Sequence, residues 1–213
     1  MDIYASDDEK GEEIKQWWRD NGLAVAVACV LVIAGIIGGR YWIAHNATQT
    51  EMASLRYQAV VNAIAQDDSE TAEDTTTQLL SEFTKTPYAV FSAFEMVKYS
   101  ASNDDLTSSK TYLNWIIEHA KLSGQIDVAR MRLAQILLSE KQYQEAIILT
   151  QQSDSSAFAS LFSELRGDIY VAQDQKQEAR VAYQTALSTL AQGEPRQQVL
   201  QLKLDDVAGG HDS

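Results

Sequence analysis

The chain has 213 residues, 45% of them hydrophobic and 8% aromatic, a composition that excludes a disordered chain. It contains only 2 Pro and 10 Gly, and this scarcity favours long helices over many short strands. The single cysteine, Cys29, excludes an internal disulfide and any zinc site built from several cysteines. The net charge of −13 argues against nucleic acid as a partner, because a nucleic-acid-binding protein needs a basic surface.

An uncharged apolar run at 22–39 predicts a transmembrane helix near the N-terminus. Eighteen helical residues measure about 27 Å, and continuing the helix through Ile43 reaches the ~30 Å core of a bilayer. Trp17 and Trp18 precede the run and Tyr41 and Trp42 follow it, where interfacial aromatic residues belong. The sequence therefore predicts a membrane anchor at 22–44 in the lipid bilayer.

Residues 1–21 form an acidic leader, whereas a cleaved signal peptide has a basic leader and a shorter apolar run. The anchor is therefore predicted to stay in the membrane. Lys10, Lys15 and Arg19 precede the apolar run at 22–39, and the nearest cations after that run are Arg40 and Arg56. This distribution favours a cytoplasmic N-terminus, which is a single-pass type II topology.

Four small residues of the anchor share one narrow stripe: Ala24, Ala28, Gly35 and Gly39. At about 100° per residue they fall within about 60° of one another. Small residues at this spacing allow a second membrane helix to approach closely. Two interpretations stay open, a packing face for a partner's helix and the ordinary abundance of Gly and Ala in membrane helices.

Residues 45–213 follow a helical period and predict an all-α domain. The first amphipathic helix is predicted from Met52, Leu55, Ala59 and Ile64, and an acidic, threonine-rich stretch at 67–77 is expected to interrupt the helical pattern. A last helix at 196–207 follows Gly193-Glu194-Pro195 and is predicted to cap the domain. The cap contact is predicted for Val199, Leu202 and Leu204, with a frayed tail at 208–213.

An internal repeat appears when 128–149 is aligned with 161–182 at an offset of 33. The alignment pairs Ala134 with Gly167, Leu137 with Tyr170 and Ala146 with Ala179, and the second copy continues with Tyr183 and Ala186. A looser copy at an offset of 37 contains Val97, Ser100, Leu106, Ser109 and Leu113. This pattern resembles the tetratricopeptide repeat, whose period is about 34. A plain helical bundle is the alternative.

A protein-binding surface is predicted on the concave face formed by the first helix of each repeat. Residues rotated away from the Ala134 and Gly167 seam define it. They are Met131, Gln135, Leu138, Leu161, Asp168 and Val171. The alternative is that Leu138 and Val171 are covered by a neighbouring helix or by the C-terminal cap.

No arrangement of residues predicts catalysis, a cofactor or a metal. His45, His119 and His211 are scattered and belong to no H-E-x-x-H motif, and neither G-x-S-x-G nor G-x-x-x-x-G-K occurs. The acidic pairs Asp67-Asp68 and Asp104-Asp105 fall in predicted loops, where such pairs usually form solvated turns.

Short motifs in a fixed order resemble the ancillary SecYEG translocon subunit family. Before and in the anchor they are Met1-Asp2-Ile3-Tyr4, the aromatic pair, Asn21-Gly22 and Gly39-Arg40-Tyr41-Trp42. After it they are Ser54-Leu55-x-Tyr57-Gln58, Arg132-Leu133-Ala134 and Leu165-Arg166-Gly167-Asp168. The resemblance runs nearly from end to end.

The resemblance implies a bacterial inner-membrane protein with a periplasmic repeat domain and no catalytic activity. The expected partners are the SecYEG translocon, a membrane-anchored periplasmic chaperone of the prolyl isomerase class, and translocating polypeptides. The implied role is to pass emerging polypeptides to periplasmic chaperones, and a link to envelope-stress signalling is also implied. A scaffold that joins membrane complexes without binding polypeptide clients is the alternative.

Overall fold

The computed structural model describes residues 7–152, 156–191 and 193–209. The Met1-Asp2-Ile3-Tyr4 motif, His211 and the end of the predicted frayed tail lie outside these residues. All the regular elements within them are helices, and no strand occurs there, which confirms the predicted all-α class. The chain divides into two compact units, Met1–Met52 and Ala53–Ser213.

Helix α1 spans Asp7–Ala65 and forms the described part of the first unit. Its apolar side chains there are exposed, with Leu23 at 82% and Leu31 at 67%, because no other described element of this unit covers them. Among the described residues this is the one helix long and apolar enough to cross a membrane. Such a surface is unfavourable in water, so the helix has the properties of a membrane anchor.

In its described residues the second unit contains the end of α1 and eight further α-helices, most of which pack against the next helix in sequence. They are α2 (Ser69–Glu82), α3 (Pro87–Ser102), α4 (Leu106–His119), α5 (Ser123–Ser139), α6 (Tyr143–Thr150), α7 (Ala159–Ala172), α8 (Lys176–Ser188) and α9 (Arg196–Gly209). A 3₁₀ turn, Ser156–Phe158, precedes α7. Four apolar clusters follow one another along the unit, so each helix pair is stabilised mainly by its neighbours.

Four turns of the second unit share one backbone geometry. The turns after α1, α3, α5 and α7 place Asp67, Asp104, Lys141 and Asp174 in the left-handed region, with φ between 57° and 63°. In each turn the next residue donates its N–H to a carbonyl five residues back, at 2.8–2.9 Å. This is the Schellman arrangement that ends a helix. Its fourfold recurrence shows four helix pairs, one more than the sequence alignment found.

The small residues of the aligned repeats lie in the helix seams, as predicted. Ala134, Ala146 and Ala179 are fully buried. At Gly167 a Cβ atom would lie 2.3 Å from Cε1 of Tyr183, so only glycine allows α7 to approach α8 this closely. These contacts, together with the four equivalent turns, confirm the tetratricopeptide-like arrangement over a plain helical bundle.

Two predictions for the start of the second unit are wrong. The stretch at 67–77 interrupts the helices only around Asp67, because the carboxylate of Asp68 accepts a hydrogen bond from the Thr71 N–H and caps α2. The packed face of α1 there also differs in part. It contains Ala53, Val60 and Ala63 with the predicted Ile64 packed beside them, whereas Met52, Leu55 and Ala59 are exposed.

The C-terminal helix is present, but of its three predicted contact residues only Leu204 packs against the α8 cluster. Leu200, Leu204 and Val207 pack against the α8 cluster, a spacing that places them on one side of α9. Val199 is 49% exposed and Leu202 is 70% exposed. The helix extends to Gly209, so Ala208 belongs to it rather than to a frayed tail.

Replacing Lys141 by Gly is expected to stabilise the repeat domain. A non-glycine residue in the left-handed region costs about 1–2 kcal/mol, and Asp tolerates that region better than Lys does. Lys141 has φ 63° and an exposed side chain. The greater freedom of glycine in the unfolded chain offsets part of this gain. We therefore expect the free energy of unfolding, measured with urea, to rise by about 0.5–1 kcal/mol. An unchanged or lower midpoint would contradict the expectation.

Candidate protein-binding surfaces

The six residues predicted to bind protein have different environments. Gln135 and Val171 are exposed, and Leu161 is half-buried. Met131 and Leu138 are half-buried against a cluster that includes Ala134 and Ile169. These two side chains support the packing of α5, as the alternative interpretation held for Leu138. Whether the six residues bind a protein stays a prediction.

Asp168 is held within the chain by the C-terminal helix. Its carboxylate accepts hydrogen bonds from Nζ of Lys203, at 2.7 and 2.9 Å, and from the Tyr183 hydroxyl at 2.7 Å. Lys203 and Arg196 also form ion pairs with Glu164, at 2.9 and 2.8 Å. We call these five residues the α9 latch, because they fasten α9 to α7.

The pKa values of Lys203 and Tyr183 in the α9 latch reflect this packing. Burial lowers the pKa of Lys203, but its hydrogen bonds to Asp168 and Glu164 outweigh burial and raise the pKa overall. Burial, reinforced by the hydrogen bond to Asp168, raises the pKa of Tyr183. Both raised pKa values favour the protonated groups that hold Asp168 in place. Asp168 is therefore engaged in the α9 latch when the domain is folded.

A groove of about 370 Å³ lies between the first helices of the second and third pairs, α3 and α5. The side lined by first helices is here called the first-helix face. The groove is lined by Phe94, Glu95, Lys98, Gly124, Gln125, Val128 and Arg132. None of these belongs to the six predicted residues. Lys98 nevertheless occupies the same repeat position as Gln135, because the offset of 37 aligns the looser copy with the copy that contains Ala134.

No described residue outside α1 covers the small-residue stripe of this helix. Ala24 and Ala28 are exposed, and a Cβ atom added at Gly35 or Gly39 would meet nothing within 4 Å. The stripe therefore makes no packing contact with another described element. Its role as a packing face for a membrane helix stays a prediction.

Three described titratable residues outside these surfaces have structural contacts. Asp68 and Asp105 cap α2 and α4, and hydrogen bonds from Thr71 and Ser108 lower the pKa of each carboxyl. The His119 ring stacks on Trp115, with ring centroids 4.6 Å apart. Among the described residues no group of three potential metal ligands occurs.

Comparison with known proteins agrees with this architecture. A family model described as a tetratricopeptide repeat-like domain matches residues 15–209. Proteins named ancillary SecYEG translocon subunit are similar to the chain over nearly its whole length. The Haemophilus influenzae protein is 27% identical over 207 residues, covering 97% of this chain and 100% of its own length. The Escherichia coli protein is 24% identical over 189 residues, covering 89% and 91%.

The Neisseria gonorrhoeae protein of the same name is 24% identical over 211 residues, covering 97% of this chain and 100% of its own length. These similarities confirm the resemblance that the sequence motifs indicated. Repeated helix pairs, recurrent turns and the matching family model lead to one assignment. The chain belongs to the tetratricopeptide repeat-like domain family.

Proposed function

We propose that the chain is a non-enzymatic, membrane-anchored ancillary subunit of the SecYEG protein translocon. The observation that carries this proposal is its near end-to-end similarity to relatives named for that role. The apolar, exposed surface of α1 supports the anchor. The testing experiment is affinity purification of the full chain from detergent-solubilised membranes, with mass spectrometry of the recovered proteins. Recovery of the channel supports the proposal, and its absence contradicts it.

The proposed topology places a leader at 1–21 in the cytoplasm, the anchor at 22–44 in the inner membrane and the repeat domain at 45–213 in the periplasm. The distribution of Lys and Arg supports it. Protease added to spheroplasts is expected to degrade the repeat domain. In spheroplasts the outer membrane no longer encloses the periplasm, so a domain on that side of the inner membrane is accessible. An epitope at the N-terminus should survive until the membrane is opened. If the repeat domain were protected from protease in spheroplasts, the proposed orientation would be wrong.

The stripe of Ala24, Ala28, Gly35 and Gly39 is proposed to pack against a membrane helix of the translocon. Replacing both glycines by Leu is expected to lower co-purification with the channel at least threefold, because bulky side chains keep the helices apart. The control replaces Ile33 and Ile37, on the opposite side of α1, by Leu. Membrane insertion should be normal in both variants. Equal recovery of the channel would assign the stripe to ordinary composition.

The repeat domain is proposed to bind a membrane-anchored periplasmic chaperone of the prolyl isomerase class and to pass emerging polypeptides to periplasmic chaperones. Support comes from the exposed first-helix face, with Gln135 and Val171 as predicted contacts beside the half-buried Leu161. A link to envelope-stress signalling is part of the same proposal.

The second candidate function is a scaffold that joins membrane complexes without binding polypeptide clients. Site-specific crosslinking separates them, because a client-binding protein captures nascent secretory chains and a scaffold captures only resident partners.

A further inference from the structure

Two cations lie in the groove between α3 and α5 and form no ion pair with a described acidic residue. Lys98 and Arg132 are exposed, and neither forms an ion pair with a carboxylate in the described part of the chain. By contrast, Lys203 and Arg196 of the α9 latch are both paired. The groove therefore presents unneutralised positive charge on a protein whose net charge is −13.

Glu95 is the one acid among the described residues that line the groove. It lies near Tyr57 of the preceding helix pair, where burial, reinforced by the charge of Glu95, raises the pKa of the Tyr57 hydroxyl. The lining therefore holds two cations against one anion. An arriving carboxylate consequently meets a local excess of positive charge.

Arg132 contacts an aromatic ring that lines the same groove. Its guanidinium carbon lies 5.6 Å from the centroid of the Phe94 ring, within the range of a cation–π contact. The exposed guanidinium can donate two parallel hydrogen bonds to one carboxylate. Phe94 and Val128, both half-buried, supply apolar surface beside it.

We propose that this groove binds extended segments of other polypeptides in which a carboxylate side chain lies next to a bulky apolar side chain. The carboxylate is bound by Arg132 and Lys98, and the apolar side chain packs on Phe94 and Val128. This inference rests on the proposed function and deepens it by naming the class of segment that the first-helix face selects. Because the binding depends on exposed charges, it weakens with added salt and stays readily reversible.

The test measures peptide binding to the full chain in non-ionic detergent by fluorescence anisotropy, with empty micelles as the blank. The probe is an unstructured twelve-residue peptide labelled with a neutral dye. Aspartate and phenylalanine alternate at every second position, with glycine or serine between them, so that in an extended segment their side chains are neighbours on one side. Two matched peptides replace aspartate by lysine or phenylalanine by serine. We expect the acidic, aromatic peptide to bind at least tenfold more tightly than either. Equal binding of the acidic and lysine peptides, or no binding, would overturn the proposal.

Charge-reversal variants locate the site. Lys98→Glu with Arg132→Glu is expected to weaken binding of the acidic, aromatic peptide at least tenfold. The control, Lys176→Glu with Arg180→Glu, makes the same change of net charge at exposed positions of α8 and should alter binding less than twofold. Circular dichroism melting must show both variants folded. An equal loss in both variants would assign the effect to net charge and overturn the proposal.

The same variants separate this inference from the proposed function. Co-purification with the translocon depends on the proposed anchor contact, so the Lys98→Glu, Arg132→Glu variant should still recover the channel. If the channel is recovered but the acidic, aromatic peptide is not preferred, the groove proposal alone fails. If the wild-type chain does not recover the channel, the proposed function fails whatever the peptides show.

Discussion

Replacing Leu200 by Ala is expected to lower the free energy of unfolding of the repeat domain by about 2–4 kcal/mol. Leu200 is fully buried in the cluster that joins α9 to α8, and truncating a buried Leu removes apolar contacts and leaves a cavity. The substitution also weakens the contact through which α9 caps the last repeat, and a terminal repeat depends on such a cap. The measurement is urea unfolding of the full chain in detergent, followed by circular dichroism at 222 nm.

Leu202→Ala is the matched control for this prediction. It makes the same chemical change two residues away in the same helix, but Leu202 is 70% exposed. Its effect should stay within about 0.5 kcal/mol, as is usual for surface substitutions. If Leu202→Ala destabilised the domain as much as Leu200→Ala, the packed face of α9 would be the one predicted from sequence rather than the one in the structure.

The two ends of the repeat domain show where sequence reasoning fails. Inside the domain, aligning two copies identified Ala134 and Gly167 as the close-packed positions, and both are buried. A terminal helix has no equivalent to align with, and one of its sides lacks a neighbouring repeat. Its apolar residues therefore suit more than one face, as Leu55 in α1 and Leu202 in α9 show. Only the packed structure decides between the faces.

The candidate sites were predictable only in part for a related reason. Repeat geometry indicates which positions reach the first-helix face, but it does not show which side chains are already engaged. Asp168 is bound by Lys203, 35 residues later in the chain, and the sequence gives no sign of this pairing. Lys98 and Arg132 line one groove, and neither forms an ion pair with a described carboxylate, which is likewise a property of the folded domain.

The seam between α7 and α8 allows a second large effect to be predicted. Gly167→Ala places a Cβ atom 2.3 Å from Cε1 and 2.5 Å from Cδ1 of Tyr183. The ring cannot turn aside without cost, because Tyr183 is 3% exposed and its hydroxyl bonds to Asp168 at 2.7 Å. The overpacking is expected to lower the free energy of unfolding by about 1–3 kcal/mol, even though Ala favours helix more than Gly does.

Gly124→Ala is the matched control, because a Cβ atom there would meet only the Phe158 ring, at an ordinary 3.8 Å. Its stability should be unchanged or up to about 1 kcal/mol higher, since Ala is the better helix former. A double-mutant cycle then identifies the clash. In a Tyr183→Leu background the tyrosine ring is gone, so Gly167→Ala should cost little, and the two substitutions should couple by about 1–3 kcal/mol. Strictly additive effects would show that Gly167 is small for another reason than its contact with Tyr183.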